Sequence, residues 1–502
     1  MKTIGKAKKK ELNVRFITYN FSKNTKKSEK KKRKRFFLPS KFVNFADNTK
    51  KSTMNPKPLA FFVSLLIVSL AGTSAQTTDS SPYTPSEENL KNRREFSDER
   101  FGIFIHWGIY SMLGHGEWVM QNENLDYQEY PRLAAGFYPS RFNASEWAEL
   151  FRQSGAGYIT VTTRHHDGFS MFHTAQSDYN IVDATPFGRD VIAELAQACR
   201  KEGLSLHLYY SHLDWGRTDY YPRGRTGLGT GRPEGKEGDW RHYLDFVNAQ
   251  LTELLTNYGP IRAIWFDGVW DHDARPREEQ PGIWNLEEQY RLIHSLQSGC
   301  LIGNNHHLLP FEGEDIQIFE RDIPGFNEYG LSGQEISPLP LETCQTMNRS
   351  WGYRIKDTDY KSVDFLIEYL VRTAAKGANL LLNVGPRPDG SIPEQAAERL
   401  LAMGKWLEKY GESIYGTEAG PLQSEEWGVS TSKDNIIYLH VLNAEADKVS
   451  VSLEGRKIKS ATLLNSGEKI AFEGRKGAYT LSVPARQEGE GPDRIIKLTF
   501  KQ

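Results

Sequence analysis

Cysteine is scarce: Cys199, Cys300 and Cys344 are the only three in 502 residues, widely spaced and odd in number. That excludes a disulfide framework and, with no Cys-x-x-Cys, a thiolate metal centre. An excess of charge is missing too. Lys and Arg number 63 against 64 Asp and Glu, a formal net charge of -1, so no global field draws the chain to nucleic acid, membrane or an acidic polymer, and a neutral partner is expected. The apolar run Leu59 to Leu70 is too short for a comfortable membrane span, and the polar stretch Thr77 to Pro85 follows it in place of a stop-transfer pattern. What is present is a length and an apolar fraction, 38%, sufficient for one large domain and a smaller one, which excludes a disordered or fibrous chain.

The N-terminal region carries a processing signal that starts at an internal methionine. Met54 opens Met-Asn-Pro-Lys, the apolar run follows, and Thr73-Ser74-Ala75 offers small residues for cleavage before Gln76. Residues 54–75 read as a signal peptide and 76–95 as a linker. Residues 1–53, with the basic run Lys26 to Arg35, read as an artefact of the start-site assignment. No cysteine follows the apolar run to carry a lipid, so a periplasmic or secreted product is expected, with no membrane attachment after cleavage.

From residue 96 to 418 short apolar strands alternate with longer helical stretches, the pattern of βα units around a parallel sheet. Strands are expected at 101–106, 157–162, 204–211, 261–267, 300–303, 316–320 and 378–384. Helices are expected at 191–202 and 240–257. After Gly385-Pro386, Ser391-Ile-Pro-Glu394 reads as a capping box opening a helix to about Tyr410. Leu400, Leu401, Met403, Gly404 and Leu407 share its inner face. Residues 419–502 change to alternating strands and turns. The expected fold is a (β/α)8-like TIM barrel followed by a small C-terminal antiparallel β-sandwich, the latter a structural accessory.

In such barrels chemistry sits at the C-terminal ends of the strands. Those ends read Ile105-His106-Trp107-Gly108, Arg164-His165-His166-Asp167-Gly168, His207 with Tyr209 and Ser211, and Trp265-Phe266-Asp267-Gly268. Polar groups there are costly to desolvate without a partner, so a polar ligand is expected. Asp267 follows an apolar strand and precedes a glycine that admits a substrate; it is the candidate nucleophile for an anomeric carbon, unless it caps a helix or pairs with an arginine. Glu320 is the candidate for the protonated second carboxyl, with Glu342 as its competitor.

Together these residues resemble family 29 of the glycoside hydrolases, the α-L-fucosidases, from Phe96 to about Thr417. The resemblance rests on His106-Trp107-Gly108, Glu117-Trp118, Arg164 to Phe169, Tyr209-Tyr210-Ser211, Trp265 to Gly268, Ser350-Trp351-Gly352-Tyr353, and Asn379 to Pro386 with Asp389-Gly390, all in family order. It implies a retaining double displacement with Asp267 as nucleophile and Glu320 as acid/base, and a fucosylated oligosaccharide or glycoconjugate as substrate, without cofactor or metal. It also implies that His106, Glu117, Trp118, His165, His166, Tyr209 and Trp265 surround the sugar. One departure stands out: where many relatives carry an arginine after the strand near Leu301, this chain reads Asn304-Asn305-His306-His307, so that either His306 takes its place or the subsite is built differently.

Two other readings compete. The histidines and Asp267 are also the residue types of a metal-dependent barrel hydrolase, but adjacent histidines on an extended segment point oppositely, and no His-x-His or His-Glu-x-x-His pairs two imidazoles. A non-catalytic fucoside-binding barrel is disfavoured by the presence of both carboxyls. Linkage preference and oligomeric state are not encoded in any motif, although the Gly- and Arg-rich segment Tyr221 to Asp239 suits the wall of an outer subsite.

Overall fold

The computed structural model describes residues 82–272, 279–423, 425–486 and 491–501. The basic extension, the signal peptide and the first part of the linker lie outside the described residues. Among the described residues no helix is long and apolar enough to cross a membrane.

Eight parallel strands form the barrel: β1 Phe101–Ile105, β2 Tyr158–Arg164, β3 Ser205–Ser211, β4 Ala263–Asp267, β5 Leu301–Asn305, β6 Gln317–Glu320, β7 Leu341–Thr346 and β8 Ala378–Val384. Their order is β5-β4-β3-β2-β1-β8-β7-β6. The ring closes where the amides of Asp315 and Ile316 donate to the Ile302 carbonyl at 2.7 and 3.1 Å and Gly303 bridges Ile316. Strands buried on both faces read as apolar runs, which is why most were visible in the sequence. Strand β7 was not, because Leu341-Glu-Thr-Cys-Gln-Thr346 is mostly polar; it is nonetheless wholly buried. Its polar groups find partners in distant parts of the chain: Glu342 on Tyr158 and Trp265, Gln345 on the Arg321 carbonyl.

The helices are α1 Glu87–Glu99, α2 Val119–Asn122, α3 Ala144–Gln153, α4 Val191–Glu202, α5 Asp239–Asn257, α6 Gln280–Trp284, α7 Leu286–Leu296, α8 Val363–Ala375 and α9 Glu394–Tyr410. Helix α1 occupies the second half of the expected linker. Ser86 caps it by accepting from the Asn89 amide, and its fully buried Phe96 lies against the rings of Tyr158 and His207 at 5.3 and 5.8 Å, at the end of the barrel away from the strands' C-termini. His207, expected near the mouth, is therefore part of the barrel interior, stacked on Tyr158 at 4.5 Å.

Helix α9 corrects two expectations. The capping box does not form: the Ser391 hydroxyl donates to Asp389 at 2.6 Å and the helix starts after Pro393 with no side-chain cap. Leu400, Met403 and Leu407 are buried as expected, while Leu401 is 37% exposed and off the inner face. Gly404 is required by close approach, since a Cβ there would stand 1.9 Å from the Gln153 carbonyl oxygen of α3.

No helix follows β5 or β6. The segments 306–316 and 321–340 are irregular; each leaves the mouth and returns to the start of the next parallel strand, where the Ile316 amide donates to the Ile302 carbonyl and the Gln317 amide to the Pro340 carbonyl.

After the barrel come β9 Glu418–Ala419, β10 Gly428–Lys433, β11 Ile436–Val441, β12 Lys448–Ser452, β13 Ile458–Leu463, β14 Phe472–Arg475, β15 Ala478–Ser482 and β16 Arg494–Phe500. They form a five-stranded sheet, β13-β16-β11-β10-β9, and a three-stranded one, β12-β15-β14. Strand alternation divides β11 between two cores. Ile437, Leu439 and Val441 enter the sandwich core, whereas Tyr438, with Val429 and Ile495, joins the core of the barrel. The expected barrel and sandwich are both present.

Candidate active site

At the C-terminal ends of the strands a cavity of about 230 Å³ is lined by His106 from the end of β1, His165 and His166 after β2, Tyr209 from β3, Trp265 and Asp267 from β4, Asn305 from β5 and Glu320 from β6. Trp118, Trp270, His307 and Trp351 complete its walls, with Arg225 and Leu331 toward the opening. The size suits one sugar ring.

Asp267 is the last residue of β4, and the chain turns sharply behind it. Gly268 has φ +99°, and a Cβ there would lie 2.9 Å from the Leu213 amide nitrogen. The carboxylate accepts from the Tyr209 hydroxyl at 3.0 Å and the Trp270 indole N–H at 2.8 Å. Asn305 Nδ2 stands 3.5 Å from the same oxygen that Trp270 reaches. No arginine is among its partners in the described residues, and it caps no helix. Glu320 ends β6, and its Oε2 accepts from the same Asn305 Nδ2 at 2.9 Å, with His307 Nε2 at 3.8 Å. One amide nitrogen thus reaches both carboxyls. The two contacts, 3.5 and 2.9 Å, bring Asp267 Oδ1 and Glu320 Oε2 to the same side chain.

Burial raises the Asp267 carboxyl to about 7, and the nearby charge of Glu320 adds to the effect, opposed by the hydrogen bonds from Trp270 and Tyr209.

Glu342 is placed differently. It is fully buried, with Oε2 accepting from Tyr158 at 2.7 Å and Oε1 from the Trp265 indole at 2.8 Å. Burial pushes it up to about 7, but it is absent from the cavity wall. It fixes Trp265 from behind.

The histidines are held as neutral acceptors. Burial lowers His106 to about 3, and its Nδ1 donates to Asn383 Oδ1 at 2.7 Å, leaving Nε2 bare. Ser211 donates its hydroxyl proton to the Leu213 carbonyl at 2.7 Å, so its oxygen must accept from His166 Nδ1, also at 2.7 Å. His166 is pushed well below its ordinary value by burial, so Nε2 carries a lone pair 3.6 Å from Asp267 Oδ2. That spacing lets a sugar hydroxyl donate to the imidazole or the carboxylate. His165 stacks on Tyr209 at 5.4 Å, and Trp118 lies parallel to Trp270 at 5.9 Å. Among the described residues no three His, Cys, Asp or Glu side chains stand close enough to share a metal ion.

Two expected sugar-binding residues lie elsewhere. Glu117 is buried behind the wall, its Oε2 accepting from the Gly352 amide at 2.7 Å; it supports the segment that carries Trp351. His306 is turned away from the cavity: its Nε2 stands 3.1 Å from both oxygens of the buried Glu314, and its Nδ1 accepts from the Leu308 amide at 3.1 Å. Its neighbour His307, with φ 61°, faces the cavity instead. Both histidines lie beyond β5, which ends at Asn305, and the buried Glu314 holds His306 on the outer side.

Sequence reasoning missed Trp270, Asn305, His307 and Trp351. Trp270 had a signal, an indole three residues past the candidate nucleophile; Asn305 had none.

A family model described as Alpha-L-fucosidase matches residues 70–412. The chain is 30% identical to an α-L-fucosidase of Dictyostelium discoideum, with 85% of this chain and 95% of that one covered. It is 31% identical to a tissue α-L-fucosidase of Rattus norvegicus, covering 82% and 89%. Among solved structures, α-L-fucosidase isoenzyme 1 of Paenibacillus thiaminolyticus superposes with TM-score 0.73 at 33% identity, over 83% of this chain and all of that one (100%). A Bacteroides thetaiotaomicron α-L-fucosidase superposes with TM-score 0.71 at 26% identity, over 84% and 98%; it was captured as a covalent intermediate with 2-fluoro-fucosyl fluoride, using a glutamate-to-glutamine mutant. The chain belongs to the α-L-fucosidase family of glycoside hydrolases.

Proposed function

We propose that this protein releases terminal α-L-fucose from fucosylated oligosaccharides or glycoconjugates by a retaining double displacement, with Asp267 as nucleophile and Glu320 as acid/base. The observation that carries this reading is the pair of carboxyls joined through Asn305 at the floor of a one-ring cavity. In the first step an Asp267 oxygen bonds to the anomeric carbon as the bond to the leaving oxygen breaks, and the Glu320 proton passes to that oxygen. In the second, the Glu320 carboxylate takes a proton from water, whose oxygen displaces Asp267 and frees fucose. His106, His165, His166 and Tyr209 bind hydroxyls, while Trp265 and Trp351 offer ring faces to the apolar side of the sugar. Glu117 and Glu342 support Trp351 and Trp265. Within the same proposal, residues 96–418 are the catalytic unit and 419–502 the accessory, and cleavage of 54–75 delivers the enzyme to the periplasm or the medium.

Asp267→Ala tests the core of this. Hydrolysis of an aryl α-L-fucoside should fall about 10³-fold or more, and azide should restore turnover with a β-fucosyl azide product, seen by NMR. Unimpaired hydrolysis would end the reading.

A further inference from the structure

Glu320 has to reach the oxygen that joins fucose to the next sugar, so that sugar leaves the cavity on Glu320's side. The chain on that side is built unusually. Arg321, directly after Glu320, is a non-glycine residue with φ 61°, a conformation kept only where surroundings impose it. Its amide donates to the Cys344 carbonyl at 2.8 Å, and its own carbonyl accepts from the Tyr369 hydroxyl at 2.9 Å and Gln345 at 3.2 Å. The guanidinium donates to the Arg349 carbonyl at 3.1 Å and lies over Trp351 of the cavity wall at 5.1 Å and beside the Tyr329 ring at 6.0 Å. Tyr329 is 52% exposed, yet its backbone is pinned, because the buried Asp322 accepts from the amides of Glu328 at 2.9 Å and Tyr329 at 3.2 Å. Leu331, two residues on, lines the cavity opening. Trp351, Arg321 and Tyr329 thus form a continuous ladder from the cavity to the rim.

We propose that Tyr329 and Arg321 form the subsite for the pyranose to which fucose is attached: the sugar lays a C–H face on the exposed phenol ring, and the guanidinium donates to its hydroxyl or ring oxygens. A large ring held exposed on a fixed backbone gains nothing from the core, and it lies beside Arg321, the residue that follows the proton donor. The proposal rests on the fucosidase reading above, since Glu320 defines the leaving side.

The test compares a fucosylated disaccharide with α-L-fucosyl fluoride, whose leaving group has no ring to stack. In Tyr329→Ala the ratio of kcat/KM for the disaccharide to that for the fluoride should fall about fivefold, and in Tyr329→Phe, which keeps the ring, it should stay at the wild-type value. A ratio unchanged in Tyr329→Ala, while the wild type cleaves both substrates, overturns the subsite and leaves the fucosidase reading standing. A wild type that cleaves neither substrate overturns both.

Discussion

One amide, that of Asn305, ties Asp267 to Glu320, and the charge of Glu320 bears on Asp267. A nucleophile must be ionised, and burial together with Glu320 holds Asp267 near 7, so kcat/KM should rise with pH up to about that value. Glu320→Gln removes the second cause and keeps an acceptor for Asn305. The acidic limb of the kcat/KM profile should therefore move to lower pH, measured on fucosyl fluoride. On that substrate kcat/KM should change little, because its first step needs no proton, whereas kcat/KM on a fucosylated glycan, whose leaving oxygen needs one, should drop by about 10²-fold or more. An equal loss on both would remove Glu320 from the acid role. At this scale the sequence was legible where a residue closed an apolar strand, as Asp267 does. It was ambiguous where two like residues stood together: His306 was chosen and His307 lines the cavity, because the Glu314 that holds His306 comes from a later turn of the chain.

The elements that carry the wall are fixed by a few buried polar groups. The turn after β4 presents Trp270 to Asp267, and its Asp271 gathers the loop after β3: Thr226 Oγ1 and N donate to Asp271 Oδ1 at 2.7 and 2.9 Å, and Tyr220 donates to Oδ2 at 2.8 Å. Thr226 in turn accepts from the Trp215 indole at 2.8 Å, and Trp215 meets Trp118 and His166 edge-on. Asp271→Ala strands these donors, so the melting temperature should fall by several degrees and KM should rise more than kcat falls. Asp271→Asn keeps the acceptor for Thr226 and lets the Tyr220 hydroxyl accept, so it should cost clearly less. Thermal melts and steady-state kinetics on both variants check this; equal effects would mean the loop is held by other contacts. Element boundaries were legible where local chemistry set them, as in α4, which runs from Val191 to Glu202 under an Asp190 cap. Strand β7 and the false capping box at Ser391 show the limit, for in both cases the deciding partner is a side chain that local pattern does not weigh.

At the scale of the whole molecule, the sandwich completes the barrel. Thr431 donates to the Ser413 carbonyl at 2.7 Å, and Glu412 accepts from Tyr438 at 2.9 Å and Lys497 at 2.5 Å. Behind this seam the buried His440 links Thr431 at 3.0 Å to Asp493 at 2.6 Å. With Val429, Tyr438 and Ile495 in the barrel's own core, the two parts should unfold together. Calorimetry should show one transition with equal calorimetric and van't Hoff enthalpies; two separated transitions would show that the sandwich is an independent appendage.

The most direct measurement is to expose the protein to 2-fluoro-fucosyl fluoride, digest it and map the labelled peptide by mass spectrometry. One fluorofucosyl group on Asp267 is the predicted result. A label on any other residue, or none while the protein turns over fucosides, would contradict the account.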